Sequence, residues 1–371
     1  MAKFSMAEKA LIRRIGDDRL HTSLELIRQA MEDIWAPDAP RIIQDYTDHG
    51  IEHCERLAEF ATKLIAKCKL SDRELYSLLA SVYLHDVGMQ CDVKHYPQIK
   101  SHAESLGAMF EIAFTPGTAN SYSIEEQKAV RKNHHILSIA WIHYARETGQ
   151  TALGTGARSI PAALVADIMD VCSHHTKLPI TSCRIAFNQY PRDRKQFTAA
   201  LLRFSDELDI EATRVNIESV KTFSVDPSNS IYWWIHNATT LTFTTPHLIH
   251  ISIALCDNDA RKYGALIHKM FITEFRTKNA PVITILAKND VCVIIDTDSK
   301  VITNEYAVSL PEPILQALED IGRGPGPLLE LADEVKTWLR SVRYEVGDLR
   351  PRGDRLVDLN ASLDQGTVSV R

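Results

Sequence analysis

The chain has no stretch that approaches the roughly 20 consecutive apolar residues a membrane span requires. Its longest apolar runs, such as Ile160 to Val165 and Val291 to Ile295, are sized for a protein core. The opening MAKFSMAEKALIRRIG has no apolar centre of the kind a signal peptide carries. The seven cysteines (54, 68, 91, 172, 183, 256 and 292) are scattered, odd in number and without a CxxC. That excludes a disulfide framework and a zinc finger, and it reads as free thiols in a reducing cytoplasm. There is no Walker A loop, no GxGxxG after a strand and no GxSxG elbow, so kinase, P-loop and α/β-hydrolase readings lose their basis. Neither sign of charge dominates: 42 basic and 48 acidic side chains give a net charge of −6. No surface built to coat nucleic acid or membrane is expected, although a local basic groove stays open.

What is there is ordinary globular material. Hydrophobic residues make up 45% of the 371, enough for a core without metal or disulfide support. At roughly 150 residues per domain the length suggests two or three domains. Up to about residue 210 the pattern is helical. Ile51, Cys54, Leu57, Ala58, Ala61, Leu64 and Ile65 recur at the spacing of one helix face. Ser71 to Glu74 reads as a capping box before a helix running toward Leu84. Further helices are expected near 101–114, 123–133, 135–147, 161–175 and 196–209. Residues 149–161 and 178–190 are expected to be loops. After about residue 220, IYWWIHN, TLTFTT, LIHISIAL, PVITILA and VCVIID read as strands, with a helix over Asp259 to Arg276. Helices are expected near 312–321 and 326–344, and a tail over the last 25 residues. The fold class is therefore mainly α with a C-terminal α+β extension.

Histidine is unevenly placed: ten of the 15 lie between residues 49 and 175. Four segments collect most of them, together with aspartates. These are DYTDHGIEHCERL (45–57), SVYLHDVGM (81–89), RKNHHILSIAWI (131–142) with SHH (173–175), and LLRFSDELDI (201–210). His85-Asp86 ends an apolar run and precedes Gly88. Two such side chains at the buried end of a helix are costly unless paired or coordinated. Imidazole with carboxylate suits borderline divalent metals, though a His-Asp dipeptide alone more often caps a turn. HGIEH is not HExxH, because its glutamate stands directly before the second histidine.

The order His53, His85-Asp86, Asp206, each on an expected helix, resembles the HD-domain metal-dependent phosphohydrolase superfamily over residues 40 to 215. The resemblance implies that His53, His85, Asp86 and Asp206 hold a divalent metal (manganese, magnesium, iron, nickel, cobalt or zinc). His134-His135-Ile-Leu-Ser138 and His174-His175 resemble further elements of HD-GYP-like members, without the GYP motif and with Thr176 where those proteins have glutamate. They imply either a second ion on His134 and His174 or contacts to phosphate. His102 resembles a triphosphate-contacting histidine of deoxynucleotide triphosphohydrolases, with a surface role as the alternative. The mechanism implied has Asp86 orienting or deprotonating water, and His102 or His135 protonating the leaving oxygen. His49, Arg56, Arg131, His175, Arg203, Asp209 and Arg214 are the implied substrate contacts.

HGIEHCER with FSDELD, followed by an α+β extension, is most similar to the HD-CE type, whose members are thought to act in nucleotide-based antiviral systems. That implies a division into an N-terminal helical segment (1–40), an HD domain (41–217), an α+β extension (218–310) and C-terminal helices and tail (311–371). Three readings follow. The first is a nucleotide phosphohydrolase, with deoxynucleoside triphosphates as leading substrates. The second is a cyclic-nucleotide or oligonucleotide phosphodiesterase with two ions. The third is a catalytically silent nucleotide sensor. The extension, with Tyr232, Trp233 and Trp234 read as core or interface, is expected to serve oligomerisation or regulation, and a regulatory nucleotide is an open partner.

Overall fold

Three helices begin at a serine with glutamate three residues on. Ser5/Glu8, Ser71/Glu74 and Ser123/Glu126 each form a reciprocal capping box, satisfying donors that a helix start leaves without partners. The computed structural model describes residues 3–36, 49–91, 94–107, 112, 122–215, 227–245, 247–296, 300–303 and 309–323. The expected helix at 326–344 and the C-terminal tail lie outside the described residues.

The helical body comprises α1 (Met6–Ile12), α2 (Asp18–Ile34), α3 (Ile51–Leu64), α4 (Asp72–Leu84), α5 (Tyr96–Ser105), α6 (Ile124–Thr148), α7 (Gly154–Ser159), α8 (Ala162–Ser173) and α9 (Lys195–Glu207). Helix α4 is its axis. From Glu74 to Leu84 every residue is buried, as an all-round apolar and small-residue sequence demands. It packs on α1, α2, α3, α8 and α9. Buried charges are paired across helices. Arg28 of α2 binds Glu8, Glu32 and Glu55, and Glu8 also accepts the Tyr83 hydroxyl at 2.6 Å. Lys195 of α9 reaches Asp167 at 3.0 Å and Asp170 at 2.7 Å on α8.

The remainder comprises α10 (Pro227–Ala238), β1 (Thr239–Thr245), β2 (Leu248–Leu255), α11 (Asp257–Ile267), a π-helical turn (His268–Thr273), α12 (Glu274–Ala287), β3 (Ile294–Ile295), β4 (Lys300–Thr303) and α13 (Glu312–Arg323). Strand β2 is central, antiparallel to β1 and parallel to β3 and β4. The protein is thus mainly α with a small mixed sheet toward its C-terminal end.

Four local expectations fail. IYWWIHN is helix α10, not a strand: Ile231, Trp234 and Ile235 are buried at helical intervals, so packing overrides β-propensity. PVITILA lies within α12, where Val282, Ile285 and Leu286 share the buried face. The expected helices 123–133 and 135–147 are one continuous α6. Part of the expected 149–161 loop is α7, seated on α2. Its small residues permit this: a Cβ on Gly156 would stand 3.1 Å from Ile27 Cα.

One close approach places the metal-capable residues. Gly88 follows His85-Asp86, in a 3₁₀ turn (Val87–Gln90) against α6. A Cβ there would meet the His134 carbonyl at 2.3 Å and the Ser138 nitrogen at 2.5 Å. Ser138 closes the junction. It accepts the Gly88 N–H at 2.9 Å and donates to the His85 carbonyl at 2.6 Å. Gly88→Ala is therefore expected to cost about 1–3 kcal/mol through overpacking of backbone against backbone. Thermal unfolding reads this as a lowered Tm; an unchanged Tm overturns it.

Candidate metal centre

Asp86 leaves the end of α4 and is almost fully buried, with its two oxygens facing different neighbours. On one side Oδ2 stands 3.3 Å from His85 Nε2, 3.9 Å from His53 Nε2 and 2.9 Å from His49 Nδ1. His53 Nε2 in turn lies 3.4 Å from both His85 Nε2 and Asp206 Oδ1. On the other side Oδ1 stands 3.3 Å from both His134 Nε2 and His175 Nε2. Those two nitrogens are 2.8 Å apart. Helices α3, α4, α6, α8 and α9 each bring a donor to this point or to its edge.

Hydrogen bonding fixes which ring nitrogens carry protons. His85 Nδ1 faces the Val82 carbonyl at 2.9 Å. His134 Nδ1 faces Arg131 O, and His175 Nδ1 faces Cys172 O, both at 2.5 Å. His53 Nδ1 faces Asp209 Oδ2 at 2.6 Å. Carbonyls and carboxylates only accept, so each Nδ1 donates and each neutral ring turns its Nε2 lone pair inward. Two lone pairs at 2.8 Å repel unless a proton lies between them or a metal ion lies against both. Donor atoms about 2.0–2.2 Å from one ion stand roughly 3 to 3.5 Å from each other. The set therefore fits divalent cations: His53, His85, Asp86 and Asp206 on one side, and His134, His175 and Asp86 on the other.

The electrostatics show a centre that seeks positive charge, which a proton on His85 supplies in the polypeptide alone. Burial opposes charge on His85, but the carboxylates of Asp86 and Asp206 outweigh it and raise its pKa to about 9. Burial also works against ionisation of Asp86, yet positive His85 and the imidazoles of His175 and His49 hold its pKa well below the usual carboxylate range. Burial lowers His134 to about 3, the neutral form a metal needs. The His53/His85 side thus draws positive charge even in the polypeptide alone.

Asp209, expected among substrate contacts, stands behind His53 instead. It is buried and receives the Arg56 guanidinium at 2.7 and 3.1 Å. Arg214 donates to its backbone carbonyl at 2.6 Å. Its carboxyl is held strongly ionised, with burial outweighed by the His53 hydrogen bond and the nearby cations. Asp209 orients the His53 ring, as a carboxylate behind a metal-binding imidazole does.

The expected second-ion pair was His134 with His174; the structure places His175 beside His134 and turns His174 away. His174 Nδ1 donates to the Asp170 carbonyl at 2.7 Å, and Nε2 meets Ser182 Oγ at 3.1 Å. Adjacent residues at the end of α8 point in different directions, and sequence alone cannot rank them. Asp170, His174 and Cys183 also come together. There Lys195 already neutralises Asp170 at 2.7 Å, and burial pushes the Cys183 thiol up to about 12, so this group offers a cation less negative charge than the Asp86 centre does.

A cleft of about 560 Å³ opens onto the centre, bordered by His49, Asp86, His134, His175 and Asp206. Lys128, Arg131, Lys132, Lys177, Arg214 and Lys278 border it too, against carboxylates of Asp86, Asp206, Glu207 and Glu274. Six cations against four carboxylates, before any metal is added, favour an anion. Neither expected proton donor borders the cleft. His102 pairs with His143 at 2.8 Å, and His135 has a buried Nδ1 without a hydrogen bond. Arg203 donates to the Leu178 carbonyl at 2.8 Å and Arg56 serves Asp209; neither borders the cleft. Tyr232, Trp233, Met270 and Phe271, which do border it, carried no substrate signal in the sequence.

Residues 43–275 match the model of the HD-CE family. The chain belongs to the HD-CE family. No curated protein and no solved structure matches it. Membership and the buried His/Asp clusters together mark this HD-CE protein as an HD-type hydrolase of the metal-dependent kind. Among the described residues no helix is long and apolar enough to cross a membrane.

Two outcomes test the centre. Asp209→Asn is expected to lower metal affinity by about 10- to 100-fold with the fold intact; equilibrium dialysis against manganese checks it. His175→Ala is expected to remove metal from the Asp86 Oδ1 side, whereas His174→Ala leaves metal content unchanged. The reverse pattern in elemental analysis would return the role to His174.

Proposed function

We propose that this HD-CE protein is a metal-dependent phosphohydrolase of nucleotides, with deoxynucleoside triphosphates as the leading substrates. The observation that carries the reading is the convergence of imidazole lone pairs and carboxylates on Asp86, beneath a cationic cleft rim. Divalent ions bound to such a set activate water and neutralise phosphate charge.

The polypeptide's own part is recognition, orientation and proton transfer. Lys128, Arg131, Lys132 and Lys177 receive phosphate oxygens as charge-assisted hydrogen-bond donors. Arg214, tethered to Asp209, adds a cation at the cleft wall. Asp86 orients the attacking water for in-line displacement at phosphorus. His49 takes the role expected of His102 or His135. It borders the cleft and commits Nδ1–H to Asp86, and burial favours its neutral ring, so its Nε2 lone pair takes the proton that the attacking water loses and then returns it to the leaving oxygen. A deoxynucleoside triphosphate cleaved at the phosphorus nearest the sugar yields nucleoside and tripolyphosphate.

A second reading, a cyclic-nucleotide or oligonucleotide phosphodiesterase, is favoured by one feature. The two Asp86 oxygens face separate donor sets, as a carboxylate shared by two ions would. A deoxynucleotide panel with manganese is expected to give turnover that His85→Ala and Asp86→Ala each abolish. Turnover confined to phosphodiesters, with two ions per chain, selects the second reading. Tight nucleotide binding without turnover of any phosphoester sinks both and leaves a sensor.

A further inference from the structure

The cleft has two unlike walls. One is cationic, from α6 (Lys128, Arg131 and Lys132) and Lys177. The other comes from the chain after residue 227. It presents Tyr232 and Trp233 of α10, and Met270 and Phe271 of the π-helical turn. Phosphohydrolysis needs the first wall and gives no reason for the second.

Of the aromatic wall, Tyr232 is open, Phe271 is half-buried and Trp233 is buried at the cleft edge. Tyr232 is 51% exposed and meets the Phe271 ring edge-on at 5.5 Å. Trp233 is 6% exposed and still borders the cleft. The exposed part of Tyr232 gives up apolar surface to water that a flat ring of a ligand in the cleft would cover. The π turn adds a second indication. Such turns are rare and concentrate at functional sites, because the extra residue re-aims side chains. Here it falls at His268–Thr273, which carries Met270 and Phe271.

Resting on the phosphohydrolase reading, we infer that Tyr232, Trp233 and Phe271 form a ring-binding wall that receives the heteroaromatic base of the substrate while its phosphates face α6. The extension is then part of the active site and selects nucleotides over ring-free phosphates. The metal-capable His49, Asp86, His134, His175 and Asp206 line the same cleft, so with the base on one set of residues and the outer phosphates on the other, the scissile phosphorus is the one nearest the nucleoside. A flat base offers a π-face to Tyr232 and Phe271 whatever its identity, so the wall selects for a ring more than for one base.

Calorimetry on the full chain tests this with two probes, a deoxynucleoside triphosphate and inorganic tripolyphosphate. The wild type is expected to bind the nucleotide more tightly. Tyr232→Ala with Phe271→Ala is expected to weaken nucleotide binding by roughly tenfold, the scale of one lost base–aromatic contact, and to leave tripolyphosphate affinity unchanged. Tyr232→Phe with Phe271→Tyr is expected to restore nucleotide binding. Lys132→Ala with Lys177→Ala is expected to weaken both probes. Equal wild-type affinity for the two probes, or equal loss of both in the alanine pair, overturns the wall. Hydrolysis without ring-dependent binding also overturns it and spares the phosphohydrolase reading. Ring-dependent binding without hydrolysis supports the wall and sinks that reading instead.

Discussion

A buried carboxylate with two oxygens serving two groups of imidazoles is the constraint on which this molecule turns. Asp86 has almost no contact with solvent, and neither of its neighbouring nitrogen sets supplies a fixed positive charge. Charge in a low-dielectric interior must be compensated locally. Protonation of His85 is one solution, and divalent cations are the other. The His134 and His175 Nε2 atoms at 2.8 Å, with both Nδ1 protons committed to carbonyls, call for the same compensation on their side, by a proton held between them or by a divalent cation.

That arrangement costs the rest of the fold a great deal of rigidity. The donors come from helices separated by more than 100 residues, and a displacement of an ångström would dissolve the set. Gly88 and Ser138 lock the His85-Asp86 turn to α6, so that Asp86 and His134 are held through backbone contacts. Arg56 and Asp209 lock His53. Away from the centre, Lys195 of α9 joins Asp167 of α8, and Arg28 of α2 joins Glu8 of α1 to Glu55 of α3. A buried ion pair is weak support for stability, since desolvation offsets much of its attraction. What it adds is geometric definition of the helices that carry the donors.

Much of this was legible in order along the chain, and the reasons are physical. Capping residues and a helical apolar period mark α3 and α4, so His53 and His85 could be placed on helices and His85-Asp86 at a buried helix end. What failed was choice between equivalent neighbours and between competing propensities. His174 and His175 are chemically identical and adjacent; only the angle at which α8 ends decides which faces Asp86. Asp209 reads like any helix-end carboxylate, and its place behind His53 depends on α9 crossing α3. In α10, tyrosine and two tryptophans argue for a strand by propensity, whereas their burial follows a helix. That error hid the cleft wall, because as a strand the segment had no reason to face the centre.

The extension therefore changes meaning once α10 is a helix. A strand in the sheet would present alternate side chains to two faces and commit the aromatics to packing or assembly. A helix entering β1 directly at Thr239 buries Ile231, Trp234 and Ile235 and turns Tyr232 and Trp233 toward the cleft. The cleft also draws Ile251 and Ile253 from β2, so the sheet backs the helix that lines it. Lys278 of α12 bonds Glu207, the residue after Asp206, at 2.7 Å. That contact couples the position of the aromatic wall to the helix holding a metal-capable carboxylate. On the proposed reading, lone pairs and carboxylates hold the ions that face phosphate, whatever group the phosphate carries; discrimination among phosphates then falls to the other wall, the part of the chain that the HD donors do not require.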